Sequence, residues 1–193
     1  DSLNAVLARW GLKTHDLEAV RLMIGNGITN LIEKGAGGLA PTDKLKREFK
    51  EEYQARQLDK TLPYPGVTKL LSALSERGLA LGVLSNKDDE NTQIIVSHFF
   101  PNIFKVVRGA LPDIPLKPDP TGALALTKAL GATAEQTLYV GDSAVDMLTA
   151  KNAGLLPLGA AWGFRPASEL LKAGASAILA GPLGLLDYLD AIS

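Results

Sequence analysis

The stretch LYVGDSAVDM, residues 138–147, has the pattern of a short strand that stops at a glycine and leads directly into a helix. Two aspartates follow Gly141, at positions 142 and 146. If Asp142 ends the strand and Asp146 lies one turn into the helix, both carboxylates can face one point. Two interpretations are open from these residues alone: a carboxylate pair that binds a hard cation, or a Gly-Asp-Ser turn that only caps a helix.

Outward from this stretch, the chain alternates between strand and helix patterns from about residue 63 onward. Apolar runs typical of buried strands occur at 79–85, 104–107, 137–140, 155–161 and 177–179. Helical patterns occur near 67–78, 88–99, 120–130, 143–153, 166–173 and 183–190. This alternation predicts an α/β fold with a Rossmann-like parallel sheet that is flanked by helices.

The first sixty residues have no strand pattern and predict a small all-helical unit. The segment PTDKLKREFKEEYQARQ, residues 41–57, offers Thr42 as an N-cap and places Leu45, Phe49 and Tyr53 on one stripe. The segment at 17–38 is an apolar helical pattern that is broken around Asn26 by two glycines. We therefore expect helices here that pack on the α/β unit without joining its sheet.

Composition narrows the classes of function. The 193 residues are 46% hydrophobic and 21% charged, with a net charge of −1, so there is no basic excess for nucleic-acid binding. There is no cysteine, which excludes disulfides and thiolate metal sites and fits a cytoplasmic location. No apolar stretch has the length and continuity of a membrane span, so we expect no membrane association.

Polar side chains stand at the carboxyl ends of the predicted strands, where parallel sheets bind ligands. Ser85, Asn86 and Lys87 follow one strand, Lys117 lies in the loop before the helix near residue 120, and the aspartate pair follows another strand. A hydroxyl, an ammonium group and two carboxylates at one edge indicate a site for phosphate and Mg²⁺. Taken singly, Ser85 and Asn86 form only a turn and Lys117 is an exposed lysine.

Together, these motifs resemble those of a known protein family. The order LSNK, KPDP, GDSAVD and then AG and WGF resembles the haloacid dehalogenase superfamily, most closely its phosphoglycolate phosphatase branch. The resemblance implies that Ser85 binds phosphate with Asn86 and Lys87 beside it, that Lys117 and Ser85 are catalytic, and that Asp142 and, less directly, Asp146 bind Mg²⁺. It also implies a helical cap domain over residues 6–62 and a core formed by residues 1–5 and 63–193.

One motif of that family does not occur in these 193 residues. The family's first strand ends in Asp-x-Asp-Gly-Thr and supplies the nucleophilic aspartate, and no segment here matches it. Asp1 and Ser2 match the residues that commonly follow this motif. We therefore expect the first core strand and the nucleophile upstream of residue 1. Without that strand, two edges of the sheet would be unpaired.

The resemblance implies a Mg²⁺-dependent phosphatase for a small phosphomonoester, first of all 2-phosphoglycolate, that acts through an aspartyl-phosphate. Asn26 in the cap is a candidate contact to the non-phosphate part of the substrate, with helix capping as its alternative role. Two other functions stay open: a catalytically silent protein that binds a phosphorylated ligand or partner, and a metal-free haloacid dehalogenase. The expected partner is a small phosphorylated metabolite, and the expected assembly is a monomer or homodimer.

Overall fold

A computed structural model describes residues 1–192, and its α/β architecture confirms the predicted fold class. The N-terminal part is helical, as predicted. Its helices are α1 (Ser2–Arg9), α2 (Leu17–Met23), α3 (Gly27–Gly35) and α4 (Asp43–Arg56). None of the helices formed by residues 1–192 combines the length and the apolar character needed to cross a membrane.

After the four N-terminal helices, helices and parallel strands alternate. The elements are α5 (Val67–Glu76), β1 (Gly82–Asp88), α6 (Asp89–Phe99), β2 (Val106–Ala110), α7 (Thr121–Leu130), β3 (Leu138–Gly141), α8 (Ala144–Asn152), β4 (Leu156–Ala160), α9 (Ala167–Ala173), β5 (Ala177–Leu179) and α10 (Gly184–Ile192). Strand β1 begins three residues later than predicted and includes the whole Ser85–Lys87 segment, because its pairing with β2 starts at Gly82 and reaches Asp88.

The strands form two parallel groups. β1 pairs with β2, and β3, β4 and β5 form a second sheet in that order. Within residues 1–192, β1 has no partner on the edge away from β2, and β3 has none on the edge away from β4. The predicted parallel sheet is thus present as two separate pieces, which the Lys117 side chain connects. Lys117 donates to the Leu84 carbonyl of β1 and to Asp146, which follows β3.

Capping side chains explain where several helices begin. Thr42 Oγ1 accepts a hydrogen bond from the Leu45 amide at the start of α4, as the sequence predicted. Asp16 caps α2 and Asp88 caps α6 in the same way. Ser143 caps α8 in a reciprocal capping box with Asp146, so the helix that follows β3 is held tightly to the strand end.

Apolar side chains are buried in separate clusters for the helical part and the α/β part. The helical cluster contains Leu3, Val6, Leu7, Ile32, Ala36, Leu45 and Phe49. The α/β clusters contain Leu70, Leu74, Leu158, Leu179 and Leu185, and Ala123, Ala150, Ala153 and Leu155. Because Leu3 packs with the helical cluster, helix α1 contributes to that unit from Ser2 onward; the cap boundary at residue 6 stays a prediction.

Candidate active site

A cavity of about 440 Å³ lies between the helical part and the carboxyl ends of β1 and β3. Its lining includes six of the predicted site residues, namely Ser85, Asn86, Lys87, Lys117, Asp142 and Asp146. These residues come from three separate parts of the sequence. The strand-end rule therefore predicted correctly that they converge, while the individual roles assigned to them stay predictions.

Lys117 and Asp146 form a largely buried ion pair at the floor of the cavity. Their Nζ and Oδ1 atoms are 2.8 Å apart, and the side chains are 13% and 10% exposed. The other Asp146 oxygen accepts hydrogen bonds from the Ser143 amide and hydroxyl, at 3.1 and 2.6 Å. Both oxygens of Asp146 thus already accept hydrogen bonds within the protein, and the part in metal binding that the resemblance implies for it stays a prediction.

A half-buried tyrosine lies beside this ion pair and was not predicted from the sequence. Tyr139 on β3 interacts with Lys117 and Asp146, and burial raises the pKa of its hydroxyl to about 12. Burial also disfavours the charged form of Lys117, but Asp146 and Tyr139 outweigh it and hold the pKa of Lys117 above its ordinary value. Lys117 therefore keeps its positive charge inside the cavity.

Asp142 is the carboxylate best placed for a cation. Its Oδ2 accepts a hydrogen bond from the Phe164 amide at 2.9 Å, and neither lysine nor arginine pairs with it among residues 1–192. Burial raises the pKa of the Asp142 carboxyl above its ordinary value, although the Phe164 hydrogen bond acts in the opposite direction. A half-buried carboxylate with free lone pairs and no ion pair within 4.0 Å among residues 1–192 is a natural cation ligand.

The donor set fits Mg²⁺. Within residues 1–192 there is no cluster of three or more histidine, cysteine, aspartate or glutamate side chains that could hold a metal. Mg²⁺ needs only one or two carboxylates, because phosphate oxygens and water fill its other positions. Asp142 can supply such a carboxylate, whereas a structural zinc site would need more protein ligands than this cavity offers.

Asn86 connects three segments around the cavity. Its Nδ2 donates to the carbonyls of Gly25 and Lys117, both at 3.1 Å, and its Oδ1 accepts from the Lys117 amide at 2.8 Å. These bonds fix the Lys117 loop against β1 and join the loop before α3 to the α/β part. The helical part is here called the cap and the α/β part the core. Ser85 Oγ accepts a hydrogen bond from the Lys87 amide at 3.1 Å, and its hydroxyl proton is available to a ligand in the cavity.

Lys87 reaches across the cavity to the cap. Its Nζ donates to the Tyr53 hydroxyl at 2.6 Å and lies 4.2 Å from the centre of the Tyr53 ring. Tyr53 belongs to α4 and stacks on Phe49, with ring centres 6.0 Å apart. The stripe that the sequence placed on α4 thus faces the cavity as well as the helical cluster.

Two arginines hold the cap and the core together, and neither was predicted. Arg21 of α2 donates to the Gly163 carbonyl of the core at 2.8 Å and lies 5.6 Å from the Phe164 ring centre. In return, Arg165 of the core donates to the carbonyls of Leu22 and Ile24 at 3.2 and 3.4 Å. The only sequence signal was the position of Arg165 directly after the WGF motif.

Asn26 lies outside this set of converging residues. It is exposed and is not part of the cavity lining, although Gly25 and Gly27 on either side of it are. It occupies the N-cap position of α3 without a capping hydrogen bond from its side chain. Its predicted contact with substrate therefore has no support from the cavity geometry.

Comparison with known proteins identifies the family of the chain. Residues 1–159 match the haloacid dehalogenase-like hydrolase family. A phosphoglycolate phosphatase of Caulobacter vibrioides is 35% identical over 161 residues, which cover 80% of this chain and 68% of the relative. One of Rhodospirillum rubrum is 36% identical over 167 residues, which cover 80% and 69%.

A solved structure has the same fold as this chain. The crystal structure of a predicted phosphoglycolate phosphatase from Haemophilus somnus has a TM-score of 0.86 and 26% identity, and the match covers 97% of this chain and 88% of that one. The resemblance inferred from the sequence motifs is therefore confirmed. The chain belongs to the haloacid dehalogenase-like hydrolase family and, within it, to the phosphoglycolate phosphatase branch.

Proposed function

We propose that this phosphatase hydrolyses a small phosphomonoester with the help of Mg²⁺ bound in the cavity between cap and core. The observation that carries the proposal is the grouping of Asp142, Ser85 and the Lys117–Asp146 pair on one wall of a 440 Å³ cavity. Phosphoryl transfer needs mainly positioning and neutralisation of charge, and this wall offers a cation, a hydroxyl and a metal-binding carboxylate for those tasks.

Each residue has a distinct task in this proposal. Asp142 holds Mg²⁺, which when bound neutralises charge on the phosphoryl oxygens. Lys117 places a permanent positive charge beside the phosphoryl group, and Asp146 holds the ammonium group in place through the 2.8 Å contact. The Ser85 hydroxyl donates a hydrogen bond to a phosphate oxygen.

The proposed reaction passes through an aspartyl-phosphate that water then hydrolyses. The attacking aspartate is the one expected on the Asp-x-Asp-Gly-Thr segment, which the 193 residues do not contain. Support comes from the edges of β1 and β3, which have no strand partner among residues 1–192 and leave places where a further strand could pair. Intact mass of phosphoprotein trapped in acid would test this step.

The proposed substrate is 2-phosphoglycolate. The cavity lies near the lower end of the range of about 300–1,000 Å³ that is usual for ligand sites, which favours a small ester over a phosphoprotein or nucleic acid. The names of the relatives point to the same compound. The cytoplasmic location expected from the sequence belongs to this proposal too.

Phosphate release from a panel of small phosphomonoesters tests the proposal. The protein in its natural length is assayed with Mg²⁺ and with excess chelator, with Asp142→Asn as the matched variant. We expect the highest kcat/KM for 2-phosphoglycolate and a loss of turnover in chelator and in the variant. Full turnover in chelator would exclude a metal enzyme, and release from no member of the panel would favour a silent binding protein.

A further inference from the structure

The cap contributes very few polar groups to the lining of the cavity. Its contributions to the lining are Ile24, Gly25, Gly27, Ile28, Leu31, Phe49 and Tyr53. Among these cap residues, the Tyr53 hydroxyl is the only polar side-chain group. A charged substrate group that faces the cap must therefore find its partners at Tyr53 or beyond it, because an unpaired charge in such a site is costly.

The cations of the cavity differ in how far the protein already neutralises them. The lining contains Lys87, Lys117 and Arg165. Lys117 is paired with Asp146 at 2.8 Å. Arg165 donates to two cap carbonyls and lies 3.8 Å from the Glu169 carboxylate. Within residues 1–192, Lys87 has no carboxylate within 4.0 Å of its Nζ, and its hydrogen bond from Nζ goes to the neutral Tyr53 hydroxyl.

The carboxylate that follows Lys87 in the chain does not pair with it and is engaged elsewhere. Asp88 lines the cavity too, but Oδ1 accepts from the Asn91 amide at 3.1 Å and Oδ2 accepts from the Asn91 side chain at 2.7 Å. Lys87 is therefore a half-buried cation in a ligand cavity without an anionic partner of its own. Such a cation is suited to an anion that the ligand brings.

Lys87 and Tyr53 together form a two-point donor. Because Lys87 Nζ donates to the Tyr53 oxygen, the tyrosine hydroxyl proton points to another acceptor, and the ammonium group keeps two further N–H donors. One N–H and one O–H donor at neighbouring positions match the two oxygens of a carboxylate. The phosphate end needs neither donor, since Ser85, Lys117 and the metal serve it in the proposed function.

We propose that Lys87 Nζ and Tyr53 Oη form the subsite for a carboxylate group at the non-phosphate end of the substrate. This inference rests on the proposed function and adds to it the residues that choose the substrate. One donor belongs to the core and the other to the cap, so the carboxylate is bound at two points only when the cap is closed. Substrate selection and cap closure thus use the same pair of residues.

A comparison of two substrates tests the subsite. The esters are 2-phosphoglycolate and 2-hydroxyethyl phosphate, in which a hydroxymethyl group replaces the carboxylate. For the wild type, Lys87→Met and Tyr53→Phe, kcat/KM for 2-phosphoglycolate is divided by kcat/KM for 2-hydroxyethyl phosphate. We expect the ratio to fall about tenfold or more in Lys87→Met, and about threefold in Tyr53→Phe, which keeps the ring and its stacking on Phe49.

Two further variants separate this subsite from other roles. Lys50 lies on the same helix as Tyr53 and bridges to Glu90 of the core at 2.9 Å, outside the cavity lining. Lys50→Gln therefore reports on the loss of a cap–core contact alone and should leave the ratio within twofold. Arg165→Gln tests the competing cation of the cavity. A fall of the ratio in Arg165→Gln without one in Lys87→Met would overturn the inference.

The remaining outcomes are equally informative. Equal losses for both esters in Lys87→Met would mean that Lys87 serves the phosphate, and an unchanged ratio would mean that it serves neither end; both contradict the subsite. If the wild type hydrolyses neither ester, the proposed function fails. The subsite is then judged by the ratio of the two ligands' Kd values, measured by calorimetry on the same proteins, and it is refuted if Lys87→Met leaves that ratio unchanged.

Discussion

At Gly163 the backbone passes so close to Asp142 that no side chain fits. A Cβ atom built on Gly163 would lie 2.2 Å from the Asp142 Cβ and 2.3 Å from its Oδ2. Gly163→Ala should therefore displace Asp142, lower the free energy of unfolding by about 1–3 kcal/mol and remove most Mg²⁺-dependent turnover. Thermal melts and phosphate release measure both effects. Gly181→Ala is the control, because a Cβ there meets nothing within 4 Å; equal behaviour of the two variants would contradict the packing argument.

The Asp142 carboxylate should lower stability in the absence of metal. Burial raises its pKa in the folded protein, so the folded state binds the proton more tightly than the unfolded state does. Stability then rises as the pH falls through the folded pKa, and the carboxylate is a cost at neutral pH. Asp142→Asn should raise the Tm at pH 7 in chelator while it abolishes turnover with Mg²⁺. A lower Tm for this variant would show that the carboxylate is stabilising.

The Lys117–Asp146 pair should stabilise the fold, in contrast to the Asp142 carboxylate. The pKa of Lys117 in the folded protein is held above its ordinary value. The ion pair therefore stabilises the fold fully at a pH below the ordinary pKa of lysine, and this stabilisation is lost as the pH rises through the folded pKa. Lys117→Met leaves Asp146 buried without its cation and should cost about 3–5 kcal/mol in urea unfolding. Adding Asp146→Asn should restore part of this loss. A double variant that is less stable than Lys117→Met would contradict the pairing.

Site residues could be predicted from the sequence when they lie close along the chain to a strand or helix that the sequence itself predicts. Ser85 and Asp142 stand at the ends of the strands predicted from the sequence, and Lys117 stands in a loop before a predicted helix; parallel strand ends meet at one edge. Tyr53 and Arg165 depend instead on how the cap lies over the core, which neither periodicity nor a turn signal encodes. Their contacts appear only when residues far apart in the sequence are brought together.

At the scale of elements, reciprocal hydrogen bonds attach helix α2 to the loop after β4. Arg21 donates from the cap to Gly163, and Arg165 donates from the core to Leu22 and Ile24. Arg21→Gln should loosen α2, raise KM severalfold and speed amide exchange over residues 17–23, with a smaller effect on kcat. Arg9→Gln is the control, since Arg9 binds Glu52 inside the cap. Unchanged exchange in Arg21→Gln would show that the cap does not depend on this contact.

Local chemistry also explains which element boundaries the sequence predicted well. The start of α4 follows from the Thr42 side chain, a signal that lies entirely within the segment. The start of β1 depends on pairing with β2, and the apolar residues before Gly82 gave no sign of where pairing begins. Boundaries set by a side chain are thus readable, whereas boundaries set by a neighbouring strand need the tertiary structure.

At the scale of the whole molecule, the cavity is a product of two units with separate cores. The helical cluster around Leu7 and the clusters of the α/β part do not merge, and the cavity lies between them. The wall with the polar candidate residues comes from the α/β part, and the apolar wall comes from the cap. This division predicts that substitutions at Ser85, Lys117 or Asp142 change turnover of every ester, whereas substitutions in the cap, or at Lys87 where the core meets it, change the preference among esters.

A crystal structure with Mg²⁺ and tungstate, a phosphate mimic, tests the central claim most directly. The account predicts a metal ion about 2.0–2.1 Å from a carboxylate oxygen of Asp142, and tungstate oxygens within hydrogen-bond distance of Ser85 Oγ and Lys117 Nζ. Asp146 should still contact Lys117. A metal bound away from Asp142, or an oxyanion bound outside this cavity, would contradict the account.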